Sequence, residues 1–222
     1  MDAASFRAGA LGSSRTSARD ENEDVPVQAV LWDMDGTLAD SEPLHARSFA
    51  ATMRAYGVEP PEDFHQGLLG RPESDGYAWL CSITGMTTAF EEFTARRYDF
   101  YMANLREVAF RPEARQVWDG YAARGLPQAI VSNSDRLLLD ANIRQLGLAR
   151  PRMISVSRND VLRGKPDPEP YLRAAQLLGV PPGAVAVYED STTGVRAGLE
   201  AGMQVWHLPE GEGVIPRRVR RA

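Results

Sequence analysis

Four acidic side chains are the residues of this sequence best suited to chemistry. Asp33 and Asp35 follow one apolar run, and Glu189 and Asp190 end another run far along the chain. If the fold gathers them, each pair of carboxylates repels by about 4 kcal/mol at roughly 4 Å and an effective dielectric near 20. A bound cation would offset this repulsion. Carboxylate oxygens suit Mg²⁺, and the lack of a Cys/His cluster disfavours zinc, so these acids predict a magnesium site.

A single lysine is the second chemical signal. Of 25 basic residues, 24 are arginine and only Lys165 is lysine. A chain so poor in lysine would carry arginine wherever a generic positive charge suffices, so Lys165 indicates a need for a compact ammonium that binds an oxyanion. The hydroxyl of Ser132 and the amide of Asn133, which follow a third apolar run, could donate to the same anion. We expect these three residues to bind phosphate.

Together these groups predict phosphoryl transfer through a covalent aspartyl-phosphate. With the metal in place, Asp33 can approach a phosphate dianion and attack it. Asp35 would protonate the leaving alkoxide and then deprotonate the water that cleaves the intermediate. Each motif also has a structural interpretation, because Asp190 and Ser132 could be helix-capping residues and Lys165 could lie in a surface turn. The combination of motifs in one order favours a magnesium-dependent phosphohydrolase.

The elements that must position these side chains form an alternating pattern. Short apolar runs at 27–32, 127–131, 153–156 and 184–188 predict buried parallel strands. Helices are predicted at 112–124, 135–146, 168–178 and 192–201, each followed closely by a glycine that could end it, at 125, 147, 179 and 202. This alternation predicts an α/β fold with a doubly wound parallel sheet, and ligands bind such sheets beyond the carboxyl ends of the strands.

Residues 44–107 interrupt the pattern, because they predict successive helices and no strand. We interpret them as an inserted α-helical cap domain between the two parts of the core domain, 25–43 and 108–210. Within the cap, Phe90, Phe93, Phe100, Tyr101 and Leu105 form an apolar stripe that predicts helix packing. Residues 1–24 are expected to be a disordered leader, and 211–222 a basic tail that keeps the chain end in solvent.

Composition limits the possible partners. A net charge of −5 argues against nucleic-acid binding, and no apolar run approaches the roughly 18 residues of a membrane span. The single cysteine, Cys81, cannot form an intramolecular disulfide and is predicted to be a buried thiol, which fits a cytoplasmic protein. We expect a monomer that acts on a small phosphorylated metabolite.

Four motifs resemble those of the haloacid dehalogenase superfamily, and specifically the β-phosphoglucomutase-like phosphatases with a helical cap after the first motif. The resemblance covers about 27–208, and its motifs are Asp33-Met34-Asp35-Gly36-Thr37-Leu38, Val131-Ser132-Asn133-Ser134, Gly164-Lys165-Pro166-Asp167-Pro168 and Tyr188-Glu189-Asp190-Ser191. It implies a Rossmann-like core and Mg²⁺. By resemblance, Asp33 is the nucleophile, and Asp35 is the general acid/base and a metal ligand through its carbonyl. Ser132 and Lys165 are then phosphate ligands, and Asp190 is a metal ligand that Glu189 assists.

Two residues, His45 and Arg71, extend the resemblance beyond the four motifs, and two features depart from the family pattern. His45 matches a histidine that orders the second motif-one aspartate, and Arg71 matches a cap arginine that reaches the far side of the substrate. The usual Pro-Gly before the helix at 112–124 is replaced by Arg111-Pro112-Glu113, which we interpret as a neutral change in a turn. The cap contains no lysine.

Alternative activities differ in the residues that they require. A dehalogenase would lack Asp35, and a phosphonatase would need a cap lysine for a Schiff base. A β-phosphoglucomutase-like sugar phosphomutase shares all core residues and remains the main alternative, although such enzymes use a cap lysine. A binding module on an inactive enzyme fold would have lost a catalytic residue, and none is lost. The sequence therefore favours a phosphatase, and we expect its substrate to be a sugar phosphate.

Overall fold

The computed structural model describes residues 25–68, 71, 73–209 and 213–220, so the predicted leader lies outside the described residues. In this part of the chain, the strands are β1 (Ala29–Trp32), β2 (Ala39–Asp40), β3 (Ala109–Phe110), β4 (Gln128–Val131), β5 (Ile154–Val156), β6 (Val185–Glu189), β7 (Gln204–His207) and β8 (Arg217–Val219). The α-helices are α1 (Glu42–Ala55), α2 (Glu73–Thr84), α3 (Phe90–Ala103), α4 (Pro112–Ala123), α5 (Arg136–Gln145), α6 (Glu169–Leu178) and α7 (Thr192–Glu200). None of the described helices is long and apolar enough to span a membrane.

One six-stranded sheet forms the centre of the molecule, in the order β5-β4-β1-β6-β7-β8. Its first five strands are parallel, and only β8 runs antiparallel to its neighbour. β1 is buried along its whole length because helices cover both faces of the sheet. Val30 and Trp32 belong to the core on one face, and Ala29 and Leu31 to the core on the other. The predicted doubly wound α/β sheet is confirmed.

Glycines end the core helices as their positions predict. Gly125, Gly147, Gly179 and Gly202 all have the left-handed backbone that a non-glycine residue adopts at a cost, with φ between 69° and 74°. Each glycine thus ends one helix and lets the chain turn towards the next strand of the core.

The inserted helices have a small core of their own. α1, α2 and α3 pack around Phe49, Met53, Leu80 and Phe93. The antiparallel strands β2 and β3 pair where the chain leaves the sheet domain for these helices and where it returns. The apolar stripe of α3 divides between two cores: Phe93 packs in the helical core, whereas Tyr101 is fully buried in the core of the sheet domain. α3 therefore connects both parts of the molecule.

Two predictions at the periphery of the fold are wrong. Residues 217–219 do not extend into solvent as a tail but form β8, where Arg218 lies over the ring of Trp206 with 5.4 Å between guanidinium carbon and ring centroid. The arginines that indicated a charged tail also suit an edge strand, where charged side chains are common. Cys81 is half-buried instead of fully buried, because it packs only at the margin of the helical core.

Candidate active site

The predicted polar residues converge on the carboxyl edge of the sheet. Asp33 follows β1, Ser132 follows β4, and Glu189 ends β6, and these three strands are neighbours. The loop between β5 and α6 carries Lys165 to the same place. A cavity of about 1310 Å³ opens here, between the sheet domain and the inserted helices. Its lining includes eight of the nine predicted site residues, namely Asp33, Asp35, His45, Arg71, Ser132, Asn133, Lys165 and Asp190.

Lys165 is the cation at the floor of this cavity. Its side chain is 3% exposed, and its ammonium donates to Asp33 Oδ1 at 2.6 Å, to Glu189 Oε1 at 2.5 Å and to the Val131 carbonyl at 2.9 Å. All three ammonium protons thus have an acceptor. Burial opposes the charged form, but the carboxylates of Asp33 and Glu189 raise the pKa of Lys165 above its ordinary value. A planar guanidinium could not reproduce this three-way contact.

Glu189 holds the ammonium of Lys165 in place. Its carboxylate is fully buried and accepts from Lys165 and from the Tyr171 hydroxyl, at 2.7 Å, through Oε1. Oε2 accepts from the hydroxyl of Ser191 at 2.9 Å and from its backbone N–H at 3.2 Å. Together these donors fix the orientation of the carboxylate. Gly194 makes this possible, because a Cβ there would lie 1.7 Å from Glu189 Oε1.

Asp190 lies against the turn that follows Asp33. Its Oδ1 accepts a hydrogen bond from the Thr37 hydroxyl at 2.6 Å. Gly36 approaches the other oxygen so closely that a Cβ would lie 2.4 Å from Oδ2, and φ at this glycine is +81°. A side chain at position 36 would therefore displace the carboxylate.

Three of the four predicted acids can share a cation. Asp33, Glu189 and Asp190 each offer an oxygen atom, and these atoms all lie within 4.8 Å of one another. Burial, and next the Glu189 charge, raise the pKa of Asp33 well above its ordinary value, although Lys165 opposes them. The same two causes raise the pKa of Asp190 to about 7. A divalent cation on these hard oxygen donors would relieve the repulsion, so the residues fit a metal site.

Asp35 has a different environment, although it is only two residues from Asp33. Oδ1 accepts from Ser41, His45 and Asn142 at 2.8, 3.1 and 3.1 Å, and Oδ2 accepts from Ser134 and Ser132 at 2.7 and 3.2 Å. Burial alone would raise the pKa of Asp35, but the hydrogen bonds and the nearby histidine lower it below its ordinary value. The side chain of Asp35 is therefore held as a carboxylate, apart from the three acids that share the candidate metal position.

His45 connects Asp35 to the inserted helices. Its Nε2 lies 3.1 Å from Asp35 Oδ1, and its Nδ1 lies 3.4 Å from Nη1 of Arg97. Because a guanidinium only donates, Nδ1 is the acceptor and Nε2 carries the proton that Asp35 accepts. Arg97 is itself buried and paired with Glu73, with 2.6 Å between Nη2 and Oε1. The ordering role that the resemblance implies for His45 stays a prediction.

The two predicted hydroxyl and amide donors already have partners. Ser132 donates to Asp35 and accepts from the backbone N–H of Ser134 at 2.9 Å. The Asn133 side chain holds the loop of Lys165, because it accepts from the backbone N–H of that residue at 2.8 Å and donates to its carbonyl at 3.0 Å. Asn133 thus positions the lysine, and a contact of either residue with phosphate stays a prediction. Arg71 lines the cavity from the cap, with its guanidinium 5.7 Å from the Trp79 ring centroid.

Several residues of the site were missed by the sequence analysis. Thr37 and Ser134 lie inside the quoted motifs, and their position beside acids could have identified them. Asn142 and Tyr171 lie on helices with no motif, so only the fold identifies them. The interpretation of Arg111 as a neutral turn residue is wrong: its side chain is buried and donates to the carbonyls of Gly36 and Pro209.

Comparisons with known proteins give independent evidence on the family of this chain. The sequence model of the haloacid dehalogenase-like hydrolases matches residues 27–202. A phosphorylated carbohydrates phosphatase of Thermotoga maritima is 30% identical over 195 residues, which are 85% of this chain and 90% of that protein. A β-phosphoglucomutase of Mycobacterium bovis is 32% identical over 207 residues, 78% of this chain and 77% of that one.

A solved structure gives the same result. The HAD family hydrolase of Deinococcus radiodurans, crystallised with bound phosphate and sodium, is 32% identical with a TM-score of 0.64, covering 83% of this chain and 81% of that one. The predicted enzyme class, a phosphoric monoester hydrolase, is confirmed by the relatives that are named as phosphatases. On the match to its sequence model and on these relatives, the chain belongs to the haloacid dehalogenase-like hydrolases, as the four motifs predicted.

Proposed function

We propose that the protein is a Mg²⁺-dependent phosphatase that hydrolyses a small phosphorylated metabolite, a sugar phosphate, through an aspartyl-phosphate on Asp33. The observation that carries this proposal is the floor of the cavity. There the only lysine of the chain is bonded to Asp33 and Glu189, and an oxygen atom of Asp190 lies within 4.8 Å of oxygen atoms of both acids. Relatives named for phosphorylated carbohydrates and for β-phosphoglucomutase support a sugar phosphate as substrate.

In the first step, a carboxylate oxygen of Asp33 attacks phosphorus as the bond to the leaving sugar oxygen breaks. Lys165 orients Asp33 through Oδ1 and is close enough to the attacking group to neutralise charge on the transferring phosphoryl oxygens. Mg²⁺ would be held by Asp33 and Asp190, with Glu189 assisting through Lys165 and Asp35 through its carbonyl. When bound, it supplies charge neutralisation that lets the anionic substrate approach the acids.

In the second step, water attacks phosphorus, its proton passes to Asp35, and the bond between phosphorus and Asp33 breaks to release phosphate. The donors around Asp35 keep it ionised, which suits a base. To protonate the leaving oxygen in the first step, Asp35 must first bind a proton. The arriving phosphate dianion would raise its pKa by charge repulsion, and Ser132 would then be released from Asp35 to donate to the phosphate.

The inserted helices provide the substrate contacts in this proposal. His45 keeps Asp35 aligned, and Arg71 faces the cavity from the cap, where it can bind the polar end of a sugar phosphate that is remote from the reacting phosphorus. The cavity, at about 1310 Å³, exceeds the roughly 300–1000 Å³ of common ligand sites, so a small sugar phosphate has room to enter it. Closure of the cap onto the substrate would exclude water that is not the nucleophile.

The experiment that tests this function is release of inorganic phosphate from a panel of sugar phosphates, with Mg²⁺ and with excess chelator. We expect turnover that needs Mg²⁺ and is abolished by Asp33→Asn without loss of the folded state. The matched control is Asp119→Asn, an exposed acid on α4 that pairs with Arg115. Turnover by Asp33→Asn, or full activity in chelator, would contradict the proposal. Binding of a sugar phosphate without any turnover by the unmodified protein would indicate a binding module.

A sugar phosphomutase remains the second candidate, because a relative of similar identity carries that name. The only lysine is committed to Asp33 and Glu189, so no lysine remains for the cap. We therefore favour hydrolysis. The same panel distinguishes the two activities: a phosphatase releases inorganic phosphate in proportion to substrate consumed, whereas a mutase yields an isomeric sugar phosphate and little free phosphate.

A further inference from the structure

Arg111 is a buried cation with an unusual set of partners. Only 7% of the residue is exposed. It lines the active-site cavity and directly precedes α4. Among the residues that the structure describes, no carboxylate forms an ion pair with it. Its guanidinium instead donates to two backbone carbonyls, Nη1 to Gly36 and Nη2 to Pro209 at 2.9 Å. Burial of an arginine is costly, so these two contacts indicate a positional role.

Both carbonyls belong to segments that carry the candidate metal ligands. Gly36 is in the turn after Asp33, and its Cα is in such close contact with Asp190 that no side chain fits between them. Pro209 follows Leu208, whose backbone N–H donates to the carbonyl of Glu189 at 2.7 Å. Arg111 therefore joins the loop of the first motif to the segment that lies against the fourth motif.

A third contact fixes the arginine itself. The backbone N–H of Arg111 donates to the Leu38 carbonyl at 2.9 Å, next to the pairing of β2 with β3. Arg111 thus directly follows β3, where the chain returns from the inserted helices, and its side chain reaches the Gly36 turn that contacts Asp190. Thr37, in the same turn, donates to the Asp190 carboxylate. Displacing the turn would move Gly36 and Thr37 together, and with them both supports of that carboxylate.

We propose that Arg111 is a positioning residue for the metal site: by holding the Gly36–Thr37 turn against the segment after β7, it fixes the separation between the carboxylates of Asp33 and Asp190. This inference rests on the proposed Mg²⁺ site. Mg²⁺ requires near-ideal octahedral geometry at about 2.0–2.1 Å, so small displacements of one ligand weaken its binding. Arg111 touches neither carboxylate, so its effect would pass through the turn.

The test is Mg²⁺ affinity, measured by titration calorimetry without substrate. We expect Arg111→Met to weaken Mg²⁺ binding at least about tenfold, and Arg111→Lys to weaken it less, because an ammonium can keep one carbonyl. The matched control is Arg115→Met, an exposed arginine one helical turn away that pairs with Asp119 and should leave the affinity within about twofold. If Arg111→Met does not fold, Arg111→Lys against Arg115→Lys carries the comparison.

A double-mutant cycle distinguishes positioning from a general loss of stability. Thr37→Val removes one support of Asp190 directly, so Arg111→Met should weaken Mg²⁺ binding much less in the Thr37→Val background than in the unmodified protein. Independent, multiplicative effects would overturn the inference, as would an Arg111→Met variant that melts at lower temperature but binds Mg²⁺ with unchanged affinity. An unmodified protein that binds no Mg²⁺ would overturn the proposed metal site itself and this inference with it.

Discussion

Removing the ammonium of Lys165 should destabilise the fold and stop catalysis together. In Lys165→Met, the fully buried Glu189 and the 8% exposed Asp33 lose the cation between them. Removing one partner of a buried ion pair costs about 3–5 kcal/mol, because it leaves an uncompensated charge. In a domain of this size each kcal/mol lowers the melting temperature by roughly 2–4 °C. We therefore expect the metal-free variant to melt about 6–20 °C lower, and turnover to fall by on the order of a hundred- to a thousandfold.

Two further variants separate charge from shape. The double variant Lys165→Met/Glu189→Gln removes a carboxylate along with the ammonium, so it should recover much of the lost stability without recovering activity. Lys165→Arg keeps the charge, but its planar guanidinium cannot meet three acceptors around one point, so it should also be inactive. Arg163→Met, an exposed neighbour in the same loop, is the control and should behave like the unmodified protein.

Urea denaturation, thermal melting and phosphate release would measure these effects. The reasoning is refuted if Lys165→Met melts within about 2 °C of the unmodified protein, since no buried pair would then have been broken. Full activity of Lys165→Arg would place the lysine outside the reacting centre. If the double variant does not regain stability, the loss of stability came from packing against Tyr171 and not from charge. The ring centroid of Tyr171 lies 4.8 Å from the Lys165 ammonium.

Other variants test the remaining features. Asp35→Asn should still transfer phosphoryl from an aryl phosphate, seen as a burst of phenol, yet hydrolyse the intermediate slowly; equal losses for all leaving groups would contradict its role. Ca²⁺ in place of Mg²⁺ should inhibit phosphate release because its looser coordination misplaces the nucleophile, and full turnover with Ca²⁺ would contradict this. Gly194→Ala should displace Glu189 and lower the melting temperature, whereas Gly120→Ala, with nothing within 4 Å of its added Cβ, should leave it unchanged or higher. Burial would raise the pKa of Asp160, but hydrogen bonds from the adjacent backbone and side chains lower it, so the ionised form stabilises the fold at neutral pH. This contribution is lost as pH falls through the lowered pKa, and the stability difference between the unmodified protein and Asp160→Asn, measured in urea, should shrink below about pH 4.

The strands and the ends of the strands were predictable from sequence, because apolar runs and the polar residues that follow them are local signals. β1 and β6 predicted where Asp33 and Glu189 would lie, since parallel strands end at one edge. The pairing of β7 with β8 was not predictable in the same way. β7 begins and ends with polar residues, Gln204 and His207, and the arginines of β8 have the composition of a solvated tail. Only tertiary packing distinguishes an edge strand from such a tail.

The contacts of single side chains were also beyond the sequence. Arg111 stands in a turn, where its type and neighbours indicate exposure, yet its donors reach carbonyls at positions 36 and 209. Tyr171 carries no motif but supports Glu189 from α6. Both contacts join segments that are distant along the chain, so no local pattern records them. Asn133 lies within a motif, and even there the sequence could not show that its amide holds the loop of Lys165.

The two aspartates of the first motif show how a fold assigns different chemistry to identical side chains. Only one residue separates them, yet their side chains have different neighbours. Asp33 faces the acids and one ammonium, and burial with the Glu189 charge raises its pKa. Asp35 faces hydrogen-bond donors from the start of α1, from the segment after β4 and from α5, which overcome its burial and lower its pKa. The repulsion between Asp33 and its neighbouring acids favours a bound cation, beside which Asp33 can act as the proposed nucleophile. The stabilised carboxylate of Asp35 suits the proposed base. The division follows from the neighbours of each carboxylate, and some of these are distant in the sequence: Asn142 is 107 residues from Asp35, and Lys165 is 132 residues from Asp33.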